Sequence, residues 1–275
     1  MSGLGLGLGL GLGAHRIVDR YGNMPATFTV TAGDGTKYVR VKVSETTTVT
    51  PAGGTSIRIG SSGEFVTTPL TLAANTNQDI YFKDAGSFTI PKRKLVTYLY
   101  LQALGSSVIT GDITGMKLTY LYLAGLGSSV ITGDITGMKL TTLLLSIFGS
   151  SVITGDITGM ELTTLSLNNI GSSLTYGTNL LNITNSLGIQ LLGNTVFATA
   201  AEYAQLIHDA ATGTWGGKHP FVITAGTNLN CPDWDTVKAD VATLLDKAAW
   251  TVIPSAWLTT GGGSWPLNWQ EYTGE

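Results

Sequence analysis

The chain has 275 residues, of which 43% are hydrophobic and 12% are charged, and its formal net charge is −3. This hydrophobic content excludes a disordered chain and suffices for one or two folded domains. The weakly negative charge gives no reason to expect a nucleic acid as partner, and the lack of an apolar run of about 20 residues predicts no membrane span. The single cysteine, Cys231, cannot form an internal disulfide.

Residues 1–25 are interpreted as an N-terminal anchor arm, because leucine alternates with glycine near the start of the chain. In an extended chain such leucines all point to one side, and a row of this kind favours packing against a partner. A flexible tail is the alternative. The segment lacks a basic region followed by a continuous apolar run, so no classical export signal is expected. The leucines of the arm are Leu4, Leu6, Leu8, Leu10 and Leu12.

Residues 26–94 are predicted to form a small β-sandwich or barrel-like domain. Short alternating runs rich in β-branched and aromatic residues are separated here by Gly, Pro and Asn, which is typical of strands and turns. The runs on either side of Gly33-Asp34-Gly35 predict a β-hairpin. The basic triplet Lys92-Arg93-Lys94 is interpreted as a solvated edge or linker at the end of this domain.

Residues 95–193 repeat themselves almost letter for letter. Met116, Met138 and Met160 are each 22 residues apart, and a fixed period of this length is the mark of a solenoid. The leucines of each unit predict one short strand, and successive strands are expected to stack in a parallel sheet. The predicted buried column consists of Leu99, Leu121, Leu143 and Leu165.

The spacing Leu118-x-x-Leu121-x-Leu123 resembles the leucine-rich repeat, whose units are 20–29 residues long. Gly125 and Ile147 stand where that family usually has Asn or Cys. The resemblance implies a parallel β-solenoid with atypical terminal units.

Identical units on neighbouring strands would place equivalent side chains in columns on the outer surface, about 4.8 Å apart. The first two units then carry four tyrosines, followed by hydroxyl-rich positions in the later units. Tyrosine offers a flat apolar ring and a polar end, so this patch is a candidate for binding a glycan or a protein. The alternative is packing of the patch beneath the N-terminal domain or a second subunit. The candidate ligand-binding residues are Tyr98, Tyr100, Tyr120 and Tyr122.

Residues 194–258 are predicted to continue and cap the solenoid with strand–helix units. Segments 196–213 and 232–250 each have apolar residues at helical spacing, and "HPFVIT" between them predicts a strand. The fold class predicted for the whole chain is therefore mainly β with an α/β C-terminal part. Residues 259–275 are interpreted as a C-terminal tail.

No catalytic site is predicted, and no metal or cofactor is expected, because the chain contains no nucleophile elbow, phosphate loop or paired His/Cys motif. Asp112, Asp134 and Asp156 recur once per unit and could suggest calcium, but a Gly-Asp pair is more typical of a turn. A glycan-depolymerising enzyme with acids from two separate repeats is the enzymatic alternative.

The Gly-Leu start, the Thr-rich β region and the "LTYLYL…GSSVITGDITGM" units together resemble the appendage proteins of tailed bacteriophages. The resemblance implies a structural, non-enzymatic virion protein. Its N-terminus would attach to other virion proteins, and its solenoid would bind a glycan or protein receptor on the host surface. Association through the leucine row predicts a homo-oligomer, with a trimer favoured as in many fibres. The alternatives are a secreted or cell-surface leucine-rich-repeat adhesin of bacteria and a purely architectural capsid decoration protein.

Overall fold

The structure is a computed structural model and describes residues 20–146, 150–168, 170, 174–177, 181–185, 187–192, 199–217, 219–223, 234–247 and 249–250. It is mainly β, with α-helices towards the C-terminus. The strands are β1 (Ala26–Ala32), β2 (Asp34–Val43), β3 (Thr47–Ala52), β4 (Ser56–Ile59), β5 (Leu70–Leu72), β6 (Gln78–Lys83), β7 (Gly86–Ile90), β8 (Val96–Gln102), β9 (Val108–Asp112), β10 (Tyr120–Ala124), β11 (Val130–Asp134), β12 (Thr142–Ser146), β13 (Val152–Asp156), β14 (Thr164–Asn168), β15 (Leu174–Thr175), β16 (Asn182–Ile183), β17 (Ile189–Leu192), β18 (Thr214–Trp215), β19 (Pro220–Ile223) and β20 (Ala249–Trp250). The longer helices are α1 (Ala200–Thr212) and α2 (Trp234–Lys247).

Two large sheets face each other across one continuous hydrophobic core. The front sheet has ten strands in the order β20-β19-β17-β14-β12-β10-β8-β2-β6-β4, and the back sheet has eight in the order β15-β13-β11-β9-β1-β7-β3-β5. Phe82 of the front sheet and Phe88 of the back sheet stack across the core, with ring centroids 6.1 Å apart. Both sheets continue past residue 94, so the N-terminal β region and the repeats share their sheets and their core.

Each 22-residue unit forms one coil of a parallel β-solenoid. The predicted leucine column is confirmed: Leu99, Leu121, Leu143 and Leu165 are paired in register in the front sheet, and all four are fully buried. The prediction of one strand per unit is wrong, because each unit also contributes a strand to the back sheet. The cause is the Val-Ile-Thr run, whose β-branched residues favour a strand and whose isoleucine turns into the core.

Hydroxyl groups at equivalent positions link each unit to the unit before it. Thr141 Oγ1 donates to the carbonyl oxygen of Thr119 at 3.1 Å, one unit earlier. Inside the solenoid, Ser151 Oγ donates to the Ser129 carbonyl at 3.2 Å and accepts from the Ile131 amide at 2.9 Å. The acceptor in each case is the backbone carbonyl of the equivalent residue one coil earlier, so a hydroxyl repeated every 22 residues makes the same bond from coil to coil. Inside the solenoid, the repeated serine also satisfies a buried backbone amide.

The repeated aspartate closes a turn, as predicted. Asp134 Oδ1 accepts from the amide of Thr136 at 2.8 Å, and the amide of Met138 donates to the carbonyl of Ile135 at 3.0 Å. Gly137, between them, has a φ of 77°, which is the left-handed conformation that a residue with a Cβ rarely adopts. The Gly-Asp-Ile-Thr-Gly-Met sequence is thus the corner that carries the chain from the back sheet towards the next front strand.

The predicted hairpin around Gly33-Asp34-Gly35 is wrong. β1 lies in the back sheet between β7 and β9, whereas β2 lies in the front sheet between β6 and β8. Both strands have a buried alternating face, and the two faces meet across the core instead of pairing edge to edge. Alternation predicts that a strand has an inner face, but it does not predict which strand lies beside it.

The basic triplet is more than a solvated linker, because Arg93 is largely buried. Its guanidinium donates to the carbonyl oxygens of Pro25 at 3.0 Å and Thr114 at 2.9 Å, and to the carboxylate of Asp112 at 2.6 Å. The Arg93 side chain is 12% exposed. It therefore joins the start of β1 to the first corner of the solenoid.

The C-terminal part confirms the predicted strand–helix continuation. β17 pairs with β14, β19 with β17 and β20 with β19, all parallel, so the front sheet grows by three further strands. α1 lies between β17 and β19 in the chain, α2 lies between β19 and β20, and the two helices pack against each other. Thr199 and Glu202 form a capping box at the start of α1. Ala201 of this helix is exposed, and the buried apolar residues of the helix are Tyr203, Leu206, Ile207, Ala210 and Ala211.

Candidate ligand-binding face

The structure brings the four predicted tyrosines together on the outer side of the front sheet. Tyr98 pairs with Tyr120 and Tyr100 with Tyr122 across the parallel strands β8 and β10. The ring centroids of the first pair are 4.2 Å apart with an interplanar angle of 11°, and those of the second are 4.6 Å apart at 13°. All four side chains are partly exposed. The predicted neighbourhood is therefore correct, and binding by these residues remains a prediction.

Two further tyrosines come from the N-terminal β region. Tyr38 of β2 lies 6.4 Å from Tyr100, with ring planes 11° apart, and 5.2 Å from Tyr81 of β6. β2 and β6 join the front sheet at its edge beside β8, so this region widens the patch within the same sheet. The tyrosine face is defined here as Tyr38, Tyr81, Tyr98, Tyr100, Tyr120 and Tyr122.

Sequence reasoning missed Tyr38 and Tyr81, although part of the signal was present. Alternation in "KYVRVKV" already puts Tyr38, Arg40 and Lys42 on the side opposite the buried valines. The local pattern does not indicate that β2 pairs with β8. This antiparallel pairing sets Arg40 beside Tyr100 and Lys42 beside Tyr98.

Three cations lie against these rings. The Arg40 guanidinium is 5.3 Å from the Tyr38 centroid and 5.6 Å from that of Tyr100. The Lys42 ammonium is 5.8 Å from the ring of Tyr98, and the Arg58 guanidinium is 4.9 Å from that of Tyr81. These distances lie within the range of cation–π attraction.

Arg40 is further held by a bidentate ion pair with Asp79 on β6, at 2.6 Å and 2.9 Å. The hydrogen bond to Asp79 raises the pKa of Arg40 above its ordinary value. Arg40 is thus fixed between two rings, and its charge is balanced by the neighbouring carboxylate.

Burial raises the pKa of Tyr100, and the neighbouring tyrosines Tyr38 and Tyr122 raise it further. Burial likewise raises the pKa of Tyr120, with a further contribution from Tyr98. Both phenols therefore stay protonated at any physiological pH. These two residues therefore offer neutral rings and hydroxyl groups to a ligand.

The predicted register of the outer columns beyond β10 is confirmed. The hydroxyl-rich positions of the later units were expected to be exposed, but several of them are buried. Thr142, Leu144 and Thr164 continue the tyrosine columns along β12 and β14. Their exposed fractions are 7%, 7% and 0%. Ser146, Ser166 and Asn168, the other outer positions of these two strands, are half-buried, as the tyrosines are.

The described residues give no support to a metal centre, since no group of three or more His, Cys, Asp or Glu is placed among them to hold an ion. The repeated aspartates are used in turn hydrogen bonds instead, as Asp156 Oδ1 accepts from the Thr158 amide at 2.8 Å. The arm leucines Leu4, Leu6, Leu8, Leu10 and Leu12, the tail 259–275 and Cys231 lie outside the described residues.

Three titratable side chains of the C-terminal helices, His208, Asp209 and Asp240, make contacts that hold these helices in place. His208 Nδ1 of α1 lies 3.1 Å from the Asp240 carboxylate of α2. The buried Asp209 accepts from the Tyr176 hydroxyl at 2.7 Å and from the Gln205 amide at 2.8 Å. Burial raises the pKa of Tyr176, and the hydrogen bond to Asp209 raises it further.

In the part of the chain that the structure describes, no helix has both the length and the apolar character needed to cross a membrane. Comparison with protein-family models, with curated proteins and with solved structures finds no match to this chain. The leucine-rich-repeat and phage-appendage resemblances therefore rest on the residues alone, and what is shown is a mainly β solenoid with a 22-residue repeat and a helical C-terminal part.

Proposed function

We propose that the protein is a structural, non-enzymatic binding protein that recognises a glycan through the tyrosine face. The observation that carries the proposal is the stacked arrangement of four tyrosines on two neighbouring strands, with partly exposed rings. Sugar rings have apolar faces of C–H groups that stack on aromatic rings, while their hydroxyls bond to polar groups at the ring edges.

The rigidity of the face supports the same proposal. The rings are fixed by strand pairing and mutual stacking, so little side-chain freedom would be lost on binding. The strands β2, β8 and β10 are neighbours in the front sheet and carry five of the six tyrosines side by side. A row of rings across neighbouring strands suits an extended polysaccharide better than a small molecule, which is usually enclosed in a cleft.

The setting we propose is a virion appendage, attached through the Gly-Leu arm and presenting the tyrosine face to the host surface. The near-identical repeats and the arm support this setting through their resemblance to phage appendage proteins. A bacterial surface adhesin would use the same face in the same way, so the binding test applies to either location.

The test is Tyr122→Ala, measured on an array of bacterial surface polysaccharides together with the melting temperature. We expect loss of glycan binding with an unchanged melting temperature, because Tyr122 is partly exposed and its ring is a contact surface. Tyr122→Phe keeps the ring plane and should keep most of the binding. Thr154→Ala, on the exposed side of the back sheet, is the control and should bind as the parent does.

If Tyr122→Ala lowers the melting temperature and leaves binding intact, the tyrosines are packing residues and the proposal is wrong. Failure of the parent protein to bind any polysaccharide on the array would contradict it equally.

A further inference from the structure

The cations of the tyrosine face are not equivalent, and the difference points to the charge of the ligand. Arg40 is balanced by Asp79, which it contacts with two hydrogen bonds. For Lys42 and Arg58, the described part of the chain supplies no carboxylate within 4 Å. Both still lie against tyrosine rings, Lys42 beside Tyr98 and Arg58 beside Tyr81.

The two unbalanced charges flank the rings instead of clustering at one point. Arg58 pairs with Tyr81, which pairs in turn with Tyr38, and Lys42 lies four residues further along the same strand as Tyr38. From strand spacing and rise, the Cα atoms of Lys42 and Arg58 are about 16 Å apart across the face. An extended ligand stacked along the tyrosines would pass both.

This positive surface belongs to a chain whose formal net charge is −3. Its positive charge is therefore a local feature and not a consequence of overall composition. A neutral glycan would need only hydroxyl and amide partners beside the rings. Unpaired cations at the edge of a binding face attract an oppositely charged ligand and set its orientation.

We infer that the glycan bound by the tyrosine face is acidic, a polysaccharide whose sugar rings carry negatively charged groups, with Lys42 and Arg58 as the residues that recognise the charge. The inference rests on the proposed function. The tyrosine rings supply the surface on which the sugars stack, and the two cations distinguish acidic from neutral sugars.

The test compares fragments of polygalacturonate, which carry a carboxylate on every sugar, with neutral dextran fragments of equal length. The full-length chain should bind the acidic fragments more tightly, and raising the salt from about 50 mM to about 500 mM should weaken that binding, since salt screens exposed charges. Lys42→Gln keeps the stem of the side chain and removes its charge. It should weaken acidic binding about fivefold, the size expected for one exposed ion pair, and leave dextran binding unchanged.

Lys139→Gln, at an exposed position between β11 and β12 that makes none of the cation–π contacts with the tyrosine face, is the matched control and should bind both fragments as the parent does. Arg58→Gln should act in the same direction as Lys42→Gln, and the melting temperatures of all variants establish that they are folded.

Equal binding of acidic and neutral fragments, or an unchanged preference in the Lys42→Gln and Arg58→Gln double variant, would overturn this inference while leaving glycan binding intact. If Tyr122→Ala abolishes binding of the acidic fragments and Lys42→Gln weakens it, both the proposed function and this inference are supported. If Tyr122→Ala changes the binding of neither fragment, the proposed function is wrong, and this inference with it.

Discussion

At the scale of single residues, the joint between the N-terminal β region and the solenoid depends on Arg93. Its three acceptors are Pro25, just before β1, Asp112, at the end of β9, and Thr114, in the turn that follows β9. An arginine can serve all three because its guanidinium has five donors in a fixed plane, which a lysine lacks. Asp112 is the one charged acceptor of the three, and its titration should therefore be visible in the stability of the fold.

We expect Asp112→Asn to reduce the loss of stability at acid pH. Burial raises the pKa of Asp112, but hydrogen bonds from Arg93 and Thr114 outweigh it and hold the pKa below its ordinary value. The unfolded chain therefore takes up a proton first. The stabilisation is present above about pH 4, the ordinary value, and is lost as the pH falls through the lower folded pKa.

Urea unfolding at pH 6 and at several values below pH 4 measures this effect. Because Asp112 is 42% exposed, solvent screening should keep it below about 1 kcal/mol. Asp156→Asn makes the same substitution in a later unit, where the side-chain oxygen accepts the turn hydrogen bond and no ion pair is formed among the described residues. This variant should retain the acid-dependent loss. An Asp112→Asn protein that loses stability on acidification as steeply as the parent would rule out the role given to this ion pair.

At the scale of the coil, stability comes from columns that extend through several units. Leu143 lies between Leu121 and Leu165 in the front sheet and is fully buried. A cavity at this position is bordered by two other coils. Strand pairing and the Thr and Ser hydrogen bonds between successive units hold the backbones of these coils in place. They have little freedom to move inward and fill the space.

Leu143→Ala should therefore lower the free energy of unfolding by about 2–5 kcal/mol, the cost of truncating a core leucine. Urea unfolding measures this change, and the slope of the free energy of unfolding against urea concentration should stay the same. Val152→Ala, at a position 49% exposed on the back sheet, is the control and should change stability by less than about 0.5 kcal/mol. A small effect of Leu143→Ala would contradict the rigid column.

The coil also shows why helices replace strands near the C-terminus. In the repeats, the return segment carries Val, Ile and Thr and forms a back strand. After β17 the return segment carries alanine-rich sequence at helical spacing and forms α1, which still delivers the chain to the next parallel front strand. Parallel strands require a crossover of this kind, and either a strand or a helix can supply it.

At the scale of the whole molecule, the predicted assembly depends on the arm. Burying each arm leucine is worth about 1.5–3 kcal/mol, and ordering the backbone costs about 1–2 kcal/mol per residue. Over the arm these two contributions roughly offset each other, so a single chain gains little from ordering it. Several copies that share one leucine core gain more, which favours a symmetric oligomer and, for a fibre, a trimer.

Deletion of residues 2–13 should therefore leave a folded protein that no longer assembles. The first strand of the fold begins at Ala26, beyond the deletion. Light scattering after gel filtration gives the molar mass, and circular dichroism gives the fold. Replacing the five arm leucines by serine keeps the length and should have the same result. Assembly of the truncated chain equal to that of the full-length chain would show that the arm is not the anchor.

Much of the solenoid could be predicted from the sequence because its information is local and repeated. The 22-residue period puts Leu121 beside Leu99 and Tyr120 beside Tyr98 as soon as the strands are parallel, since equal chain lengths per coil bring equal positions together. The helical spacing of Val237, Val241 and Leu244 likewise indicates the buried side of α2 without further context.

Tertiary structure alone decided which strands from different parts of the chain are neighbours. Alternation in β1 and β2 marks an inner and an outer face, but not whether two strands pair edge to edge or face each other across a core. The pairing of Val41 with Leu99 joins segments 58 residues apart, and it is this pairing that adds Tyr38, Arg40 and Lys42 to the four tyrosines. The alternation of side chains is a property of one strand. Which strands become neighbours depends on the hydrophobic surface that the whole sheet must bury, and the local sequence does not indicate it.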